Sequence, residues 1–284
     1  MGYSVFTTHL KMETRLIHFE ERLRQSVKSF WRGRSQAATR QRAAGRSDQG
    51  NRGAVTSGKN MDGFREMVAD VVRRYGPQGV AIHRDKSLVV LPGFYRPTKQ
   101  WDVLVIHDRR LLAALELKSL CGPSFGNNAN NRCEEALGSA ADFRKAQSQG
   151  LLGPGASPFL GYFLLVEDAP ESRGPVRAQS PHFPTDRLFQ GASYQTRMRI
   201  LCERMMEQQL YASASLLISP NDSSGVSESL GASTSFRSLL GRLAGHLAGE
   251  ATANQPPTLE IREEANAAYG LLDGNLFEPI RDLE

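Results

Sequence analysis

Between Leu10 and Trp31 the apolar positions Leu16, Leu23, Val27 and Phe30 recur at helical spacing with charged residues between them, which predicts an amphipathic helix ending at Gly33. The next stretch, residues 34–58, is polar and punctuated by Gly45, Gly50, Gly53 and Gly58, so it reads as an arm or linker. A compact pattern starts at Met61. Phe64, Met67, Val68, Val71 and Val72 form the stripe of a short helix that stops near Gly76-Pro77. A strand follows between Val80 and Leu91, most β-prone over Leu88 to Leu91. The apolar runs Trp101 to His107 and Leu111 to Ser119 make a hairpin that turns at Asp108, Arg109 and Arg110. After an Asn- and Gly-rich loop, Glu134 to Gln149 reads as a helix closed by Gly150, and Pro158 to Val166 as a buried strand. Tyr194 to Tyr211 and Phe236 to Leu247 read as further helices, with a short strand at Ala214 to Ser219 between them.

The order helix, three strands, helix, strand sets the fold class. A strand, a crossover helix and a second strand place Leu111 to Ser119 beside Phe159 to Val166 in parallel, and the hairpin adds an antiparallel neighbour. The expectation is an α/β core, a mixed sheet flanked by helices, with extra helices at both ends. The chain divides into a basic helix and arm over 1–60, a core with helical elaboration over 61–248, and a partly packed tail over 249–284 that contains Pro256-Pro257.

Composition narrows the class. With 40% hydrophobic and 23% charged residues in 284, the chain is neither wholly disordered nor collagen-like. Its longest apolar runs, Val103 to Ile106 and Leu111 to Leu115, fall far short of the ~20 residues that cross a bilayer, so the reading is a soluble, cytoplasmic protein. Cys121, Cys133 and Cys202 lack CxxC spacing and read as reduced thiols. The net charge of +5 hides an asymmetry, because residues 1–60 hold twelve Lys/Arg against four Asp/Glu. A polyanionic partner explains such a field, with Arg40, Arg42, Arg46 and Arg52 placed to follow a phosphate backbone. A solvated basic helix with a loose tail explains the same charge.

The residues that carry chemistry are Asp102, Glu116 and Lys118. A hairpin centred on Arg109 places Asp102 directly opposite Glu116, and opposed residues share a face with Cβ atoms about 4.5–5.5 Å apart. Lys118, two residues on, joins that face. Two carboxylates so close repel unless a cation lies between them, and oxygen-only ligation suits Mg²⁺, with the Leu117 carbonyl as a further ligand. Lys118 could then hold or help deprotonate a water attacking a phosphodiester and offset charge in the transition state. A salt bridge among the three residues at a strand end is the structural alternative.

Asp102…Glu116-Leu117-Lys118, on the second and third strands of this series, resembles the PD-(D/E)xK nuclease superfamily, with Trp101 in place of the usual proline. A closer resemblance lies in the run from Leu91-Pro92-Gly93-Phe94-Tyr95-Arg96-Pro97-Thr98-Lys99-Gln100-Trp101-Asp102 through Glu116-Leu117-Lys118-Ser119 to Gly122-Pro123-Ser124-Phe125-Gly126-Asn127-Asn128 and on to Ala136. With Asp48-Gln49-Gly50, Met61-Asp62-Gly63-Phe64, Pro158 to Tyr162 and Pro181-His182-Phe183, it resembles the XhoI family of type II restriction endonucleases over roughly residues 1 to 245. That family also carries tryptophan before the aspartate. The resemblance implies a PD-(D/E)xK core and Mg²⁺-dependent cutting of both strands of duplex DNA at CTCGAG, leaving 5′-phosphates. A palindrome implies a homodimer. A structure-selective repair or junction nuclease, or a catalytically inactive DNA-binding relative, are the competing readings.

The resemblance also offers Glu66, on the first core helix, as an extra metal ligand, with Asp70 one turn later as its competitor. The loop from Ser124 to Arg132 could bring Asn127, Asn128, Asn130, Asn131 and Arg132 to phosphates or base edges, and Lys99, Arg46 and Arg52 are further candidates for DNA contact. Asn131 serves equally as a helix N-cap, and Glu134 and Glu135 suit a first helical turn. The six histidines show no HxxxH or HxH spacing, and Gly58-Lys59 lacks the context of a Walker loop, so neither zinc hydrolysis nor a nucleotide cofactor is expected.

Overall fold

The computed structural model describes residues 2–43, 58–153 and 157–253. Helix α1 (Gly2–Ala43) leads through a 3₁₀ turn to α2 (Asp62–Tyr75). Strand β1 (Ala81–His83) is followed by a separate ribbon of β2 (Val90–Pro92) and β3 (Thr98–Gln100), then by β4 (Val103–His107) and β5 (Arg110–Leu120). Helix α3 (Phe125–Ser148) crosses to β6 (Phe159–Glu167), and a short α4 (Pro170–Arg173) precedes α5 (Tyr194–Glu207), β7 (Ser213–Ser219) and α6 (Phe236–Ala253).

The main sheet has the order β1-β4-β5-β6-β7. Its first three strands are antiparallel and its last three parallel, as the crossover helix requires. Both faces are covered. One apolar cluster joins α1, α2 and α6 to Val103, Val105, Leu115 and Phe163, and a second joins α3 and α5 to Leu104, Ala114, Tyr162 and Leu164. A sheet sandwiched in this way explains why β5 and β6 read as continuous apolar runs rather than alternating ones.

Three local readings are corrected. Helix α1 does not stop at Gly33 but runs on to Ala43. A Cβ at Gly33 would lie 2.5 Å from Asn60 Oδ1, so this glycine serves close packing against the following turn rather than termination. The expected strand between Val80 and Leu91 is two strands. Ala81–His83 pairs with β4 in the main sheet, whereas Val90–Pro92 leaves it and pairs only with Thr98–Gln100. Finally, Ser124 to Arg132 is no loop, since α3 begins at Phe125. Burial of Phe125 and Ala129 outweighs the weak helix preference of the intervening asparagines. Arg46, Arg52 and the tail from residue 254 lie outside the described residues.

Candidate active site

The site forms where β4 and β5 separate. Strand β5 pairs Val103 with Leu115, so the next step of the same register brings Asp102 beside Glu116. The route to that register differs from the one expected. Asp108 and Arg109 alone form the turn, both with positive φ (47° and 62°), and Leu112 is then an unpaired bulge residue between the Ile106–Leu111 and Val105–Ala113 pairs. A two-residue turn plus one bulge residue gives the same pairing as a three-residue turn.

Beyond Val103 the chain veers away, and the Trp101 N–H donates to the Val89 carbonyl of the ribbon at 2.7 Å. The backbone N–H of Leu117 therefore lacks a strand partner and donates instead to Asp102 Oδ2 at 2.8 Å. Asp102 Oδ1 accepts from the Arg65 guanidinium of α2. The Asp102 carboxylate is thus locked against β5 from two directions.

Glu116 is only 2% exposed, deep for a carboxylate. Its Oε1 accepts from Lys99 Nζ at 2.9 Å and lies 3.0 Å from Lys118 Nζ. Burial pushes the Glu116 carboxyl upward, but the Lys118 and Lys99 ammoniums outweigh it and hold the group below its ordinary value, as a carboxylate. Burial likewise pulls Lys118 down, yet Glu116 first, and then Asp102 and Glu135, raise it above the ordinary lysine value. Lys118 feels both acids at once. Its ammonium is placed to donate hydrogen bonds and offset negative charge.

The donor set can be tested for a hard cation. Glu116 Oε2 is buried without a hydrogen-bond partner among the described residues, the kind of oxygen that a cation would satisfy. Asp102 and the Leu117 carbonyl add only oxygen. Among the described residues no group of three or more His, Cys, Asp or Glu could hold a metal. Two carboxylates and a carbonyl fit Mg²⁺, which keeps water and substrate oxygens in its shell, better than they fit zinc.

The remaining candidates are distributed as follows. Glu66 does not join the cluster. Its carboxylate is paired with Arg73 at 2.7 Å and with Arg84, which together hold its pKa down, while Asp70 is paired with Arg73 and Arg22. It is Arg65, one position earlier on α2, that turns toward Asp102. Lys99 lies inside the cluster, 10% exposed, with its ammonium 4.6 Å from the Trp101 ring centroid. Asn127, Asn130 and Asn131 are exposed, Asn128 and Arg132 partly so, all on the first two turns of α3 rather than on a loop, and Arg132 is paired with Glu135. Asn131 caps nothing, and Glu134 and Glu135 lie beyond the first turn. Arg40 is exposed on α1.

Sequence reasoning missed Arg65 and Asp142, and it offered Lys99 only as a DNA contact. Arg65 carried no spacing signal. The placement of Lys99 against Glu116 depends on the ribbon returning to β5, which no local pattern encodes. Asp142 did leave a trace, as the one acid among Ala136, Ser139, Ala140, Phe143 and Ala146 on the buried stripe of α3. Its Oδ1 accepts the N–H groups of Phe94 and Tyr95, both at 2.8 Å, and its Oδ2 accepts Arg96 Nε at 3.0 Å.

The type II restriction enzyme XhoI of Xanthomonas vasicola is 46% identical over 192 residues, covering 67% of this chain and 77% of that enzyme. The type II restriction enzyme AbrI of Azospirillum brasilense is 49% identical over 176 residues, 62% of this chain and 79% of that enzyme. BstVI of Geobacillus stearothermophilus, also a type II restriction enzyme, is 44% identical over 177 residues, 61% and 79% of the two chains. No solved structure matches. The family model described as restriction endonuclease XhoI matches residues 40–229, a span that includes Asp102, Glu116 and Lys118, and the chain belongs to that family.

Proposed function

We propose that this protein is a type II site-specific deoxyribonuclease of the PD-(D/E)xK kind. It hydrolyses one phosphodiester in each strand of duplex DNA at CTCGAG, with Mg²⁺, as a homodimer, and leaves 5′-phosphates. The observation that carries the reading is the buried Glu116 carboxylate, with one oxygen held by two lysines and the other unpartnered among the described residues, beside Asp102 at the open end of a hairpin. The family supplies the class of reaction, and the hexanucleotide and the twofold arrangement come from the resemblance to it.

Asp102, Glu116 and the Leu117 carbonyl would hold the metal. When bound, Mg²⁺ supplies Lewis-acid polarisation of a phosphate oxygen and a lower pKa for water. The chain's own groups do the rest. The Leu117 N–H and Arg65 keep the Asp102 carboxylate oriented. Lys118, held as an ammonium, orients the attacking water and offsets charge building on the phosphoryl oxygens. Attack by water in line with the P–O3′ bond forms a new P–O bond and breaks the old one, so that O3′ leaves as a 3′-hydroxyl after taking up a proton and the phosphate stays on the 5′ oxygen of the downstream fragment.

The test is digestion of a plasmid with one CTCGAG site, with and without Mg²⁺, followed by sequencing of the ends. A single double-strand cut at that hexanucleotide, dependent on the cation and ligatable through 5′-phosphates, is expected. Cutting of branched DNA in preference to the linear site, or cutting elsewhere, would overturn the assignment.

A further inference from the structure

The run Leu91 to Asp102, one of the continuous stretches that carry the family likeness, is only partly used by the catalytic cluster. Lys99, Trp101 and Asp102 belong to that cluster, but the tip of the β2–β3 ribbon does not. Four large apolar side chains stand exposed on residues 88–95: Leu88 (54%), Val90 (41%), Phe94 (43%) and Tyr95 (72%). Among the described residues the ribbon belongs to no larger sheet, and an isolated two-stranded ribbon is marginal in water unless something else holds it.

Burial of Val89, Leu91 and Trp101 in the second apolar cluster holds its base, and the buried carboxylate of Asp142, which accepts both tip N–H groups and Arg96, holds its tip. The two rings pack edge to face with centroids 4.9 Å apart, and Lys145 sits 5.2 Å from the Phe94 ring centroid. A Cβ at Gly93 would lie 2.7 Å from Asp142 Oδ2 and 2.6 Å from the Arg96 carbonyl, so the turn needs glycine for this seat. A buried charge is spent on presenting two exposed rings in one fixed posture, an arrangement that lowers the cost of binding something.

The position indicates what is bound. Lys99, on the same ribbon, reaches Glu116, and at about 3.3 Å per residue Phe94 and Tyr95 lie within about 17 Å of Lys99 along the chain, a few steps along a DNA strand. Aromatic faces flanked by cations suit bases and phosphates together. Lys145 beside Phe94 and the exposed Lys86 at the ribbon's foot supply those cations.

We propose that Phe94 and Tyr95 form a preformed wedge that packs against the bases or sugars of duplex DNA a few steps from the cut phosphate, and that Asp142 is the positioning residue for it. The inference rests on the nuclease reading above.

The test compares wild type, Phe94→Ala/Tyr95→Ala, Asp142→Asn and, as a control for loss of an exposed ring elsewhere, Phe183→Ala. Affinity for a fluorescent CTCGAG duplex is read by anisotropy in Ca²⁺ over a salt series, and cleavage is read in Mg²⁺. The double variant should bind about tenfold to a hundredfold more weakly, with the slope of log Kd against log salt unchanged, because stacking is lost while phosphate contacts stay. Asp142→Asn should show a smaller loss of the same kind, and Phe183→Ala should match wild type. Wild-type affinity in the double variant would overturn the proposal, and so would a changed sedimentation coefficient with DNA binding intact, which would assign the tip to a subunit contact. If wild type neither binds nor cuts the CTCGAG duplex, the assigned site fails, and the same affinity comparison on plasmid fragments decides the wedge. If wild type binds no duplex at all, both readings fall.

Discussion

Replacing Asp142 by Asn removes one charge while keeping the side chain's shape, and the structure fixes what that costs. The amide oxygen can occupy the place of Oδ1 and keep the Phe94 and Tyr95 N–H groups, but the amide nitrogen then faces Arg96 Nε, donor against donor. One hydrogen bond to a charged group is lost, worth about 1.5–3 kcal/mol. Arg96 is 43% exposed and can turn to water, which places the loss near the lower end, about 2 kcal/mol. For a chain of this size that corresponds to a fall in Tm of about 4–8 °C at neutral pH. The pH dependence has a definite sign. Burial pushes the Asp142 carboxyl up, but the Tyr95 and Phe94 N–H groups and Arg96 prevail and hold it below the ordinary carboxylate value. The wild-type advantage is therefore complete above the unfolded value of about 3.9 and shrinks as pH falls through the lower folded one. Melts followed by circular dichroism from neutral to acid pH measure the gap directly. Equal melting of the two proteins at neutral pH, or a gap that widens on acidification, would refute the reasoning.

Three further outcomes are expected. Gly93→Ala should lower Tm, because its Cβ must push aside the Arg96 carbonyl and Asp142, at a cost of about 1–3 kcal/mol, and a variant as stable as wild type would show that the turn can yield. Glu66→Gln should leave the Mg²⁺ concentration for half-maximal cleavage within about twofold of wild type, given its pairing with Arg73 and Arg84, whereas a rise of tenfold or more would return it to the metal site. Alkylation of the folded protein at pH 8 should spare Cys121, whose thiol burial pushes up to about 12, and Cys202, raised further by burial, leaving the half-buried Cys133 as the site of any slow labelling; rapid modification of Cys121 would contradict this.

The parts legible in the sequence were those written in local pattern. The α2 stripe, the hairpin, the crossover to β6 and the pairing of β5 with β6 followed from periodicity and chain order. The opposition of Asp102 and Glu116 was also legible, though through compensation. Residues 111–115 are apolar throughout because both faces of β5 are covered, so nothing in their alternation marks Leu112 as a bulge. The start of α3 was hidden by its asparagines, whose turn preference yields to the burial of Phe125 and Ala129. Arg65 and Lys99 arrive at the site by tertiary contact across 37 and 17 residues, a distance that local spacing does not carry.

The site itself is tested most directly through Glu116. Single-turnover cleavage of a CTCGAG duplex in Mg²⁺, with affinity measured separately in Ca²⁺, should be compared for wild type and Glu116→Gln, which keeps the side chain's volume. The expected result is a fall in the cleavage rate of about 10²–10³ or more with affinity within a few-fold of wild type. A Glu116→Gln protein that cuts at close to the wild-type rate would contradict the account.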